Sequence, residues 1–276
     1  MVILVEKSDN TNSTEHRHPY SNMNKVGKVL RKHFADIQVI SHARVPIVKF
    51  RDRRLGLHCD LNFEHALGVY NSQLLASYTY LDVRVKPLIM LVKYFSKLRN
   101  INDASQDTIS SYAYTLMVIA FLQDRGILGN LQKEYQGPRI VVKVPDTFHK
   151  RGKRREGHRI VDVSFQKVEP VQFDPISVQE AWKGENGIAS LFVQFLDYFA
   201  LKHSYKCTNI VSVKDGGFIN TAEAIDDRLL VVLDPFEEDR NCTRMVDMRS
   251  LKLIRSEFLY ARSLLMSTDD AYSVFK

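Results

Sequence analysis

The first third of the chain contains short hydrophobic runs with the two-residue period of β-strands. This period predicts four strands: Val2–Val5, Ile37–Ser41, Val45–Phe50 and Leu57–Phe63. Polar residues 11–20 predict a loop, and polar residues 51–54 predict a turn between the last two strands. One helical segment lies among the strands, with Ser21 as its predicted N-cap and Phe34 near its end.

From about Gly68 onward, the hydrophobic residues recur at the spacing of helices. Residues 135–180, which contain four of the eight prolines, interrupt this spacing and predict an irregular segment. A buried strand over Leu229–Leu233 ends at Pro235, because proline cannot continue a central ladder. These elements predict an α+β fold, with a small sheet domain over residues 1–80 and a larger, mainly helical domain over residues 81–276. The predicted helices are Val69–Tyr80, Arg84–Leu98, Ile109–Asp124, Gly187–His203 and Ser250–Met266, the last with Leu251, Ile254, Phe258, Ala261 and Leu265 on one stripe.

Composition excludes several classes of protein. Apolar residues make up 45% of the 276-residue sequence and charged residues 26%, which is typical of a globular protein rather than a disordered one. No apolar stretch is long enough to span a bilayer, and the sequence starts without a basic leader, so we expect neither a membrane protein nor a secreted one. Cys59, Cys207 and Cys242 lack disulfide or zinc spacing and favour a reducing compartment, either the cytoplasm or the nucleus.

Charge points toward an anionic partner. The sequence has 39 Lys and Arg against 32 Asp and Glu, a formal net charge of +7. This excess favours nucleic acid or a phosphorylated substrate, and a merely basic globular protein fits it equally well. Six Lys and Arg against one Glu lie within residues 149–159, which we interpret as a loop that follows RNA phosphates or as a solvated charged segment.

Asp60 is a candidate metal ligand. In the predicted strand, Leu57, Cys59, Leu61 and Phe63 share the face expected to be buried, whereas His58, Asp60 and Asn62 share the polar face. A strand fixes the direction of its side chains, and Mg²⁺ requires carboxylates that are held in place. A solvated or structural Asp is the commoner explanation for such a position.

Two further groups of residues could bind phosphate and a base. Lys93 and Lys97 lie one helical turn apart, so both ammonium groups reach the same side and could clamp a triphosphate. Ser111 and Tyr112 lie at the start of an apolar helix, where a hydroxyl can contact phosphate and a ring can stack on a base. A solvated helix face and an ordinary helix cap explain the same residues without a ligand.

Several segments match the motifs of one protein family, in the family's order and along nearly the whole chain. They are Val45–Phe50, Cys59–Phe63, Leu67–Leu75, Arg84–Leu88, Ile101–Asp103, Ile109–Tyr112, Asp234–Glu237 and Asn241–Arg244 followed by the helix near residues 251–262. On these motifs the chain resembles the noncanonical poly(A) polymerases and terminal uridylyltransferases. The resemblance implies a polymerase-β-like nucleotidyltransferase sheet domain, here incomplete, followed by a helical PAP-associated domain. It also implies the addition of ribonucleotides to RNA 3′ ends.

The resemblance implies ligands and a role for each candidate residue. The metal would be Mg²⁺ or Mn²⁺, the substrate UTP or ATP, and the partner an RNA 3′ end, while no protein partner is implied. The family pattern implies that Asp60 is the catalytic carboxylate that binds the metal and that Asn71 contacts the ribose 2′-hydroxyl. It implies that Lys93 and Lys97 clamp the triphosphate and that Ser111 makes a further phosphate contact. It also implies that the ring of Tyr112 stacks on the base and that Asp234 and Glu237 approach the base edge.

Base choice stays open between uracil and adenine. Uridylating members place a His where this chain has Arg240, whose guanidinium could contact a uracil carbonyl or point to solvent. Adenylating members share the segment Ile101–Ser105 well.

One family motif is absent from the sequence. Members carry two further catalytic carboxylates as Asp-x-Asp on a strand after a Gly-Ser turn, and no Asp-x-Asp occurs in this chain. Two-metal transfer needs several carboxylates to hold two ions about 4 Å apart, which Asp60 alone cannot provide. We therefore expect the chain as written to be inactive, either as a fragment whose reading frame starts at an internal Met or as a degenerate member. The alternatives are a noncatalytic module that binds RNA or nucleotide, and a scaffold that binds neither.

Overall fold

The computed structural model describes residues 2–3, 19–41, 47–63, 66–150, 153–267 and 274–275. The chain divides into two compact units, one formed by Met1–Tyr70 with Ile140–Val163 and the other by Asn71–Arg139 with Ser164–Lys276. Helices and strands both contribute to the fold, which confirms the predicted α+β class. The domain boundary predicted at residue 80 stays a prediction.

A four-stranded sheet forms the centre of the first unit. The strands are β1 (Val2–Ile3), β2 (Ala35–Ile40), β3 (Ile47–Asp52) and β4 (Leu57–Phe63), in the order β1-β4-β3-β2. β1 runs parallel to β4, whereas β4, β3 and β2 are successively antiparallel. All four predicted strands are confirmed with small shifts at their ends, except that residues 4–5 lie outside the described residues.

Helix α1 (Pro19–Leu30) packs on β2 and β3. The prediction that Ser21 caps this helix is wrong, because the helix already begins at Pro19, a residue well suited to a first helical turn. The rest of the predicted loop, residues 11–18, lies outside the described residues. Gly27 allows the close packing on β2, since a Cβ there would lie 2.6 Å from a methyl carbon of Val39.

β4 presents Asp60 as predicted, although its other face is less buried than expected. Asp60 is exposed near the middle of the strand, and Leu61 on the opposite face is fully buried. Leu57, which we expected to be buried, is 55% exposed because it starts the strand beside the turn and pairs with Asp52. The side chain of Phe63 lies outside the described residues.

The segment predicted to be irregular contains a regular two-stranded ribbon, so that prediction is wrong for its central part. β5 (Val141–Lys150) pairs with β6 (Lys153–Asp162) in an antiparallel register from Val141↔Asp162 to Lys150↔Lys153. Each strand of a two-stranded ribbon has a free edge, so Pro145 is tolerated inside β5. The basic residues 149–159 therefore belong mostly to a paired ribbon, which we call the basic ribbon.

Helices form most of the second unit, as the hydrophobic spacing predicts. Helix α4 is buried from Ala113 to Gln123, because α3 packs on one side and a small sheet on another. The ring centroid of Phe258 lies 6.2 Å from that of Phe95 and 6.0 Å from that of Phe195, which joins α7 to α3 and to α6. The helices are α2 (Leu67–Leu81), α3 (Val85–Leu98), α4 (Ser111–Asp124), α5 (Pro175–Glu180), α6 (Ile188–Asp197) and α7 (Met248–Ser267), with a 3₁₀ turn at Ala104–Gln106.

Three short strands form the small sheet, in the order β8-β7-β9. They are β7 (Asn209–Ser212), β8 (Gly217–Asn220) and β9 (Val231–Val232), of which only β9 was predicted, as part of Leu229–Leu233. Gly217 has a φ of 133° and lies so close to α4 that a Cβ would sit 3.2 Å from Asp124. Positive φ and close packing both require glycine at this position.

The segment after α6 is a π turn at Tyr198–Lys202 that ends at His203. The His203 imidazole is buried among the rings of Tyr198, Phe199, Tyr205 and Phe218, with centroid distances from 4.8 to 5.9 Å. Burial, and then the positive charge of Arg255, lower the pKa of His203 to about 4. His203 is therefore a neutral core residue at neutral pH.

Within the residues that the structure describes, no helix combines the length and the apolar character needed to cross a bilayer. All three cysteines lie among these residues, and none of them forms a disulfide bond.

Candidate functional site

The loop after β9 is a closed turn held by its own backbone. The amide of Asp234 donates to the carbonyl of Arg240 over 3.0 Å, and the amide of Arg240 donates to the carbonyl of Glu237 over 2.8 Å. The carboxamide oxygen of Asn241 accepts from the amide of Val232 over 3.1 Å and ties the end of the loop to β9. The sequence 234–241 thus folds into a fixed platform next to a buried strand.

Asp234 organises the start of this loop. One carboxylate oxygen accepts from the amides of Phe236 and Glu237, at 3.0 and 3.1 Å. The other oxygen accepts from the Tyr112 hydroxyl at 3.2 Å. The Asp234 side chain is fully buried, so its negative charge depends on these donors and on nearby cations. Asp234 therefore fixes both the loop and the ring of Tyr112.

Arg240 folds back over the two carboxylates of the loop. Its Nη1 lies 2.6 Å from Glu237 Oε2 and 3.7 Å from Asp234 Oδ2. Burial lowers the pKa of Arg240, but attraction to Glu237 and then to Asp234 outweighs burial and raises it. The guanidinium side chain is 33% exposed, whereas the Glu237 side chain is 3% exposed. Of these charged groups, the one that an incoming molecule meets is the guanidinium of Arg240.

Tyr112 carries a ring whose position is set through its hydroxyl. Burial, and then the negative charge of Asp234, raise the pKa of the Tyr112 phenol, so the hydroxyl stays protonated and donates. The residue is only half-buried, which leaves part of the ring accessible. A ring anchored in this way can stack on a planar ligand at little entropic cost.

A chain of hydrogen bonds joins the start of α4 to α3. Ser111 Oγ donates to Asn102 Oδ1 over 3.0 Å, and Asn102 Nδ2 donates to Ser96 Oγ over 3.0 Å. Ser96 Oγ in turn donates to the carbonyl of Lys93 over 3.1 Å. Ser110 is the N-cap of α4 and accepts from the amide of Ala113 over 3.1 Å. These contacts hold Ser111 and the backbone at Lys93 in one polar network.

Both lysines of the predicted clamp lie on α3, as the spacing predicts. Lys93 is half-buried and Lys97 is exposed. Within the described part of the chain neither lysine makes an ion pair, in contrast to Arg99, the residue just after α3, whose Nε lies 2.6 Å from Glu257 Oε2. Two cations one turn apart without a carboxylate partner form a favourable position for an anion.

Asn71 and Asp60 lie outside this network. Asn71 is a residue of α2, and its carboxamide oxygen is buried without a hydrogen-bond partner among the described residues. Such an orphaned acceptor is typical of a site that a ligand completes. Asp60 belongs to the first unit, whereas the other candidate residues belong to the second. No group of three or more His, Cys, Asp or Glu placed to hold a metal ion occurs among the described residues.

Two residues of the site had no predicted role. Asn102 bridges Ser111 and Ser96, and the sequence singled it out only as part of a matched motif. Gln132 donates from Nε2 to the carbonyl of Pro235 over 2.8 Å and stabilises the loop through this hydrogen bond. Nothing in the local sequence around Gln132 indicates this contact.

Comparison with known proteins places these features in a family context. A family model described as the central palm domain of mitochondrial-like poly(A) RNA polymerase matches residues 1–80. The chain is 31% identical to poly(A) RNA polymerase GLD2-B of Xenopus laevis over 99% of its own length and 50% of that protein's length. It is 30% identical to terminal uridylyltransferase 7 of Homo sapiens over 84% of its own length and 15% of that protein's length.

A solved structure supports the same relationship. The Cid1 poly(U) polymerase with Mg and 3′-dATP bound is 25% identical, has a TM-score of 0.69, and matches all of this chain and 79% of its own. The chain spans half the length of GLD2-B and a smaller share of terminal uridylyltransferase 7.

Proposed function

We infer from these similarities that the chain is a member of the family of noncanonical poly(A) polymerases and terminal uridylyltransferases, and on that premise we propose that it binds a nucleoside triphosphate and an RNA 3′ end. The observation that supports nucleotide binding is the cluster of Tyr112, Asp234, Glu237 and Arg240 in one hydrogen-bonded arrangement. Ser111, the residue before Tyr112 on α4, is joined to α3 by the polar network through Asn102.

Each part of the nucleotide has a matching group in the proposal. Lys93 and Lys97 bind the triphosphate, and the Ser111 hydroxyl contacts a phosphate oxygen. The ring of Tyr112 stacks on the base, held in place by the hydrogen bond to Asp234. The unpartnered carboxamide oxygen of Asn71 accepts from a ribose hydroxyl, which selects ribonucleotides.

The base-reading group favours UTP over ATP. Arg240 is more accessible than the two carboxylates that it covers, those of Asp234 and Glu237, and a guanidinium only donates hydrogen bonds. The carbonyl oxygens of uracil accept such bonds, whereas the amino group of adenine would have to reach the buried Glu237. ATP remains the second candidate substrate.

The metal site of the proposal is Asp60, with Mg²⁺ or Mn²⁺. The carboxylate is exposed on an inner strand of the sheet, and hard divalent cations prefer such oxygen ligands. A bound cation would supply charge neutralisation to a phosphoryl group. The chain contains no Asp-x-Asp pair, so we propose that it binds nucleotide without transferring it. This noncatalytic function is the alternative to a complete nucleotidyltransferase of the cytoplasm or nucleus.

Nucleotide affinity tests the proposed clamp. The double variant Lys93→Ala/Lys97→Ala is expected to bind UTP about 100-fold more weakly, because each lost charge-assisted contact contributes about tenfold. Calorimetric titration of the purified chain with UTP and ATP in Mg²⁺ measures this affinity and the base preference. The control is Lys252→Ala, an exposed lysine on α7.

Two results would count against this assignment. Equal UTP affinity in the double variant and in Lys252→Ala would show that Lys93 and Lys97 do not bind the triphosphate. Robust metal-dependent extension of an RNA primer by the 276-residue chain would instead show that transfer does not require the missing Asp-x-Asp.

The basic ribbon is the proposed contact to the RNA backbone. Its register places Lys150 opposite Lys153, and the next residues along β6 are Arg154 and Arg155. Like charges opposite each other destabilise a strand pair unless an anion neutralises them. An RNA phosphate backbone supplies such charge along the whole length of a ribbon.

Salt dependence tests the ribbon. The triple variant Lys153→Gln/Arg154→Gln/Arg155→Gln is expected to weaken binding of a single-stranded RNA and to lower the slope of log K against log salt by about 2. Fluorescence anisotropy over a series of salt concentrations measures both quantities. The charge-matched control is Lys25→Gln/Lys28→Gln/Lys32→Gln, in and just after α1, where all three residues are exposed. An equal slope in the two triple variants would exclude the ribbon as the RNA contact.

A further inference from the structure

The face of β4 that carries Asp60 also carries Asn62, a second side chain with an oxygen that can bind a metal ion. The two residues are separated by one residue whose side chain, that of Leu61, is buried on the opposite face. On a strand this spacing brings two side chains to neighbouring positions on one face, about 7 Å apart along the strand.

The carboxamide oxygen of Asn62 is buried and has no hydrogen-bond partner among the described residues. Its neighbours across the strands explain why. Asn62 pairs with Ile47 on β3 and with Val2 on β1, and neither side chain has a donor. Their backbone groups belong to the sheet ladder. Buried acceptors are normally satisfied, so an unsatisfied one beside a metal-binding carboxylate suggests that the missing partner is a ligand.

We infer that Asn62 is a metal-ligating residue, whose carboxamide oxygen binds the divalent cation held by Asp60. This inference rests on the proposed metal site at Asp60. Amide oxygens are ordinary ligands of hard divalent cations, and Mg²⁺ and Mn²⁺ both accept carboxylate and carbonyl oxygens together. A neutral amide adds a ligand without adding charge. Its main effect is therefore to fix the position of the cation rather than to increase the electrostatic attraction.

Mn²⁺ binding tests the inference without any need for catalysis. The free Mn²⁺ remaining in solution, measured by electron paramagnetic resonance during a titration of the purified chain, gives the dissociation constant. Asn62→Leu keeps the branching and the number of heavy atoms of the side chain and removes its oxygen, and is expected to weaken Mn²⁺ binding about tenfold. Asn62→Asp, which replaces the amide by a carboxylate, is expected to strengthen it. His58→Gln is the matched control, because His58 is the exposed residue two positions to the other side of Asp60.

Thermal unfolding without metal separates a folding defect from a lost ligand. Asn62→Leu removes an unsatisfied buried acceptor, so its melting temperature is expected to equal or exceed that of the unmodified chain. A variant that is equally stable but binds Mn²⁺ more weakly supports the inference.

The outcomes distinguish this inference from the proposed function. Unchanged Mn²⁺ affinity in Asn62→Leu, together with weakened affinity in Asp60→Asn, would overturn the role of Asn62 alone. Unchanged affinity in Asp60→Asn, or no Mn²⁺ binding by the unmodified chain, would remove the metal site and the inference with it. Nucleotide binding by Lys93 and Lys97 is measured independently and would stand in either case.

Discussion

Replacing Asp234 by alanine is expected to lower the free energy of unfolding by about 3–5 kcal/mol. The change removes the acceptor for two buried backbone amides, those of Phe236 and Glu237, and for the hydroxyl of Tyr112. Of the two carboxylates that Arg240 contacts, Asp234 and Glu237, the change leaves only that of Glu237. Buried donors without a partner are among the few causes of so large a loss.

Asp234→Asn is expected to lose less stability than Asp234→Ala. The amide oxygen can still accept from Phe236 and Glu237, but the amide nitrogen would face the donors of Arg240. Urea unfolding followed by circular dichroism measures the free energy of unfolding of the unmodified chain, Asp234→Asn and Asp234→Ala, which we expect to decrease in that order. Glu238→Ala is the control in the same loop. Its exposed ion pair with Lys214 should contribute at most about 1 kcal/mol. A loss below about 1 kcal/mol for Asp234→Ala would show that the loop does not depend on this carboxylate.

The same variants separate two roles for Asp234. The carboxylate of Asp234 is fully buried and accepts hydrogen bonds from Tyr112, Phe236 and Glu237, so we propose that it is a positioning residue for Tyr112 and for the loop. Under this view, UTP affinity falls in Asp234→Asn because the Tyr112 ring loses its anchor. Tyr112→Phe, which keeps the ring and removes the same hydrogen bond, should then lose a similar share of the affinity. A direct base contact by Asp234 would instead affect Asp234→Asn alone.

Strong hydrophobic periods predicted most elements of the fold. β4 and α2 to α4 each carry several turns or alternations of apolar residues, and their bounds agree within two residues. The ribbon escaped prediction because residues 149–156 are almost all polar and have no two-residue hydrophobic period. Its pairing comes from the backbone register, which a hydrophobic pattern does not report. β7 and β8 are four residues each and fully or partly buried, too short for a period to be distinct.

The site was predictable only as separate segments. Lys93 and Lys97 share a helix, so their proximity follows from spacing alone. The contact between Tyr112 and Asp234 joins residues 122 positions apart, which no local pattern can show. The fold-back of Arg240 onto Glu237 was equally hidden, because the sequence allows an arginine there to meet a base or solvent. The family motifs predict which residues bind the nucleotide, and the structure shows which of these residues touch one another.

Acidification is expected to destabilise the second unit through His203. The pKa of His203 is lowered to about 4 in the folded chain, against about 6.5 for an unperturbed imidazole. Above pH 6.5 the ring is neutral in both states, so it has no effect on the pH dependence there. Between pH 6.5 and 4 the unfolded chain takes up a proton that the folded chain does not. The free energy of unfolding therefore falls as the pH falls, by about 3 kcal/mol over this window.

His203→Phe isolates this contribution from other acidic groups. Phenylalanine can occupy the site among Tyr198, Phe199 and Phe218 but cannot bind a proton. The carboxylate of Asp197, whose pKa is lowered mainly by its hydrogen bonds to Lys202 and Arg262 against the opposing effect of burial, loses stability in the same acidic range in both proteins. The quantity to compare is therefore the difference in unfolding free energy between pH 7 and pH 4, from urea unfolding at each pH. The variant should lose about 3 kcal/mol less than the unmodified chain over this range.

His33→Phe, an exposed position just after α1, should behave like the unmodified chain. If all three proteins lose the same stability on acidification, the imidazole is not held neutral in the folded core.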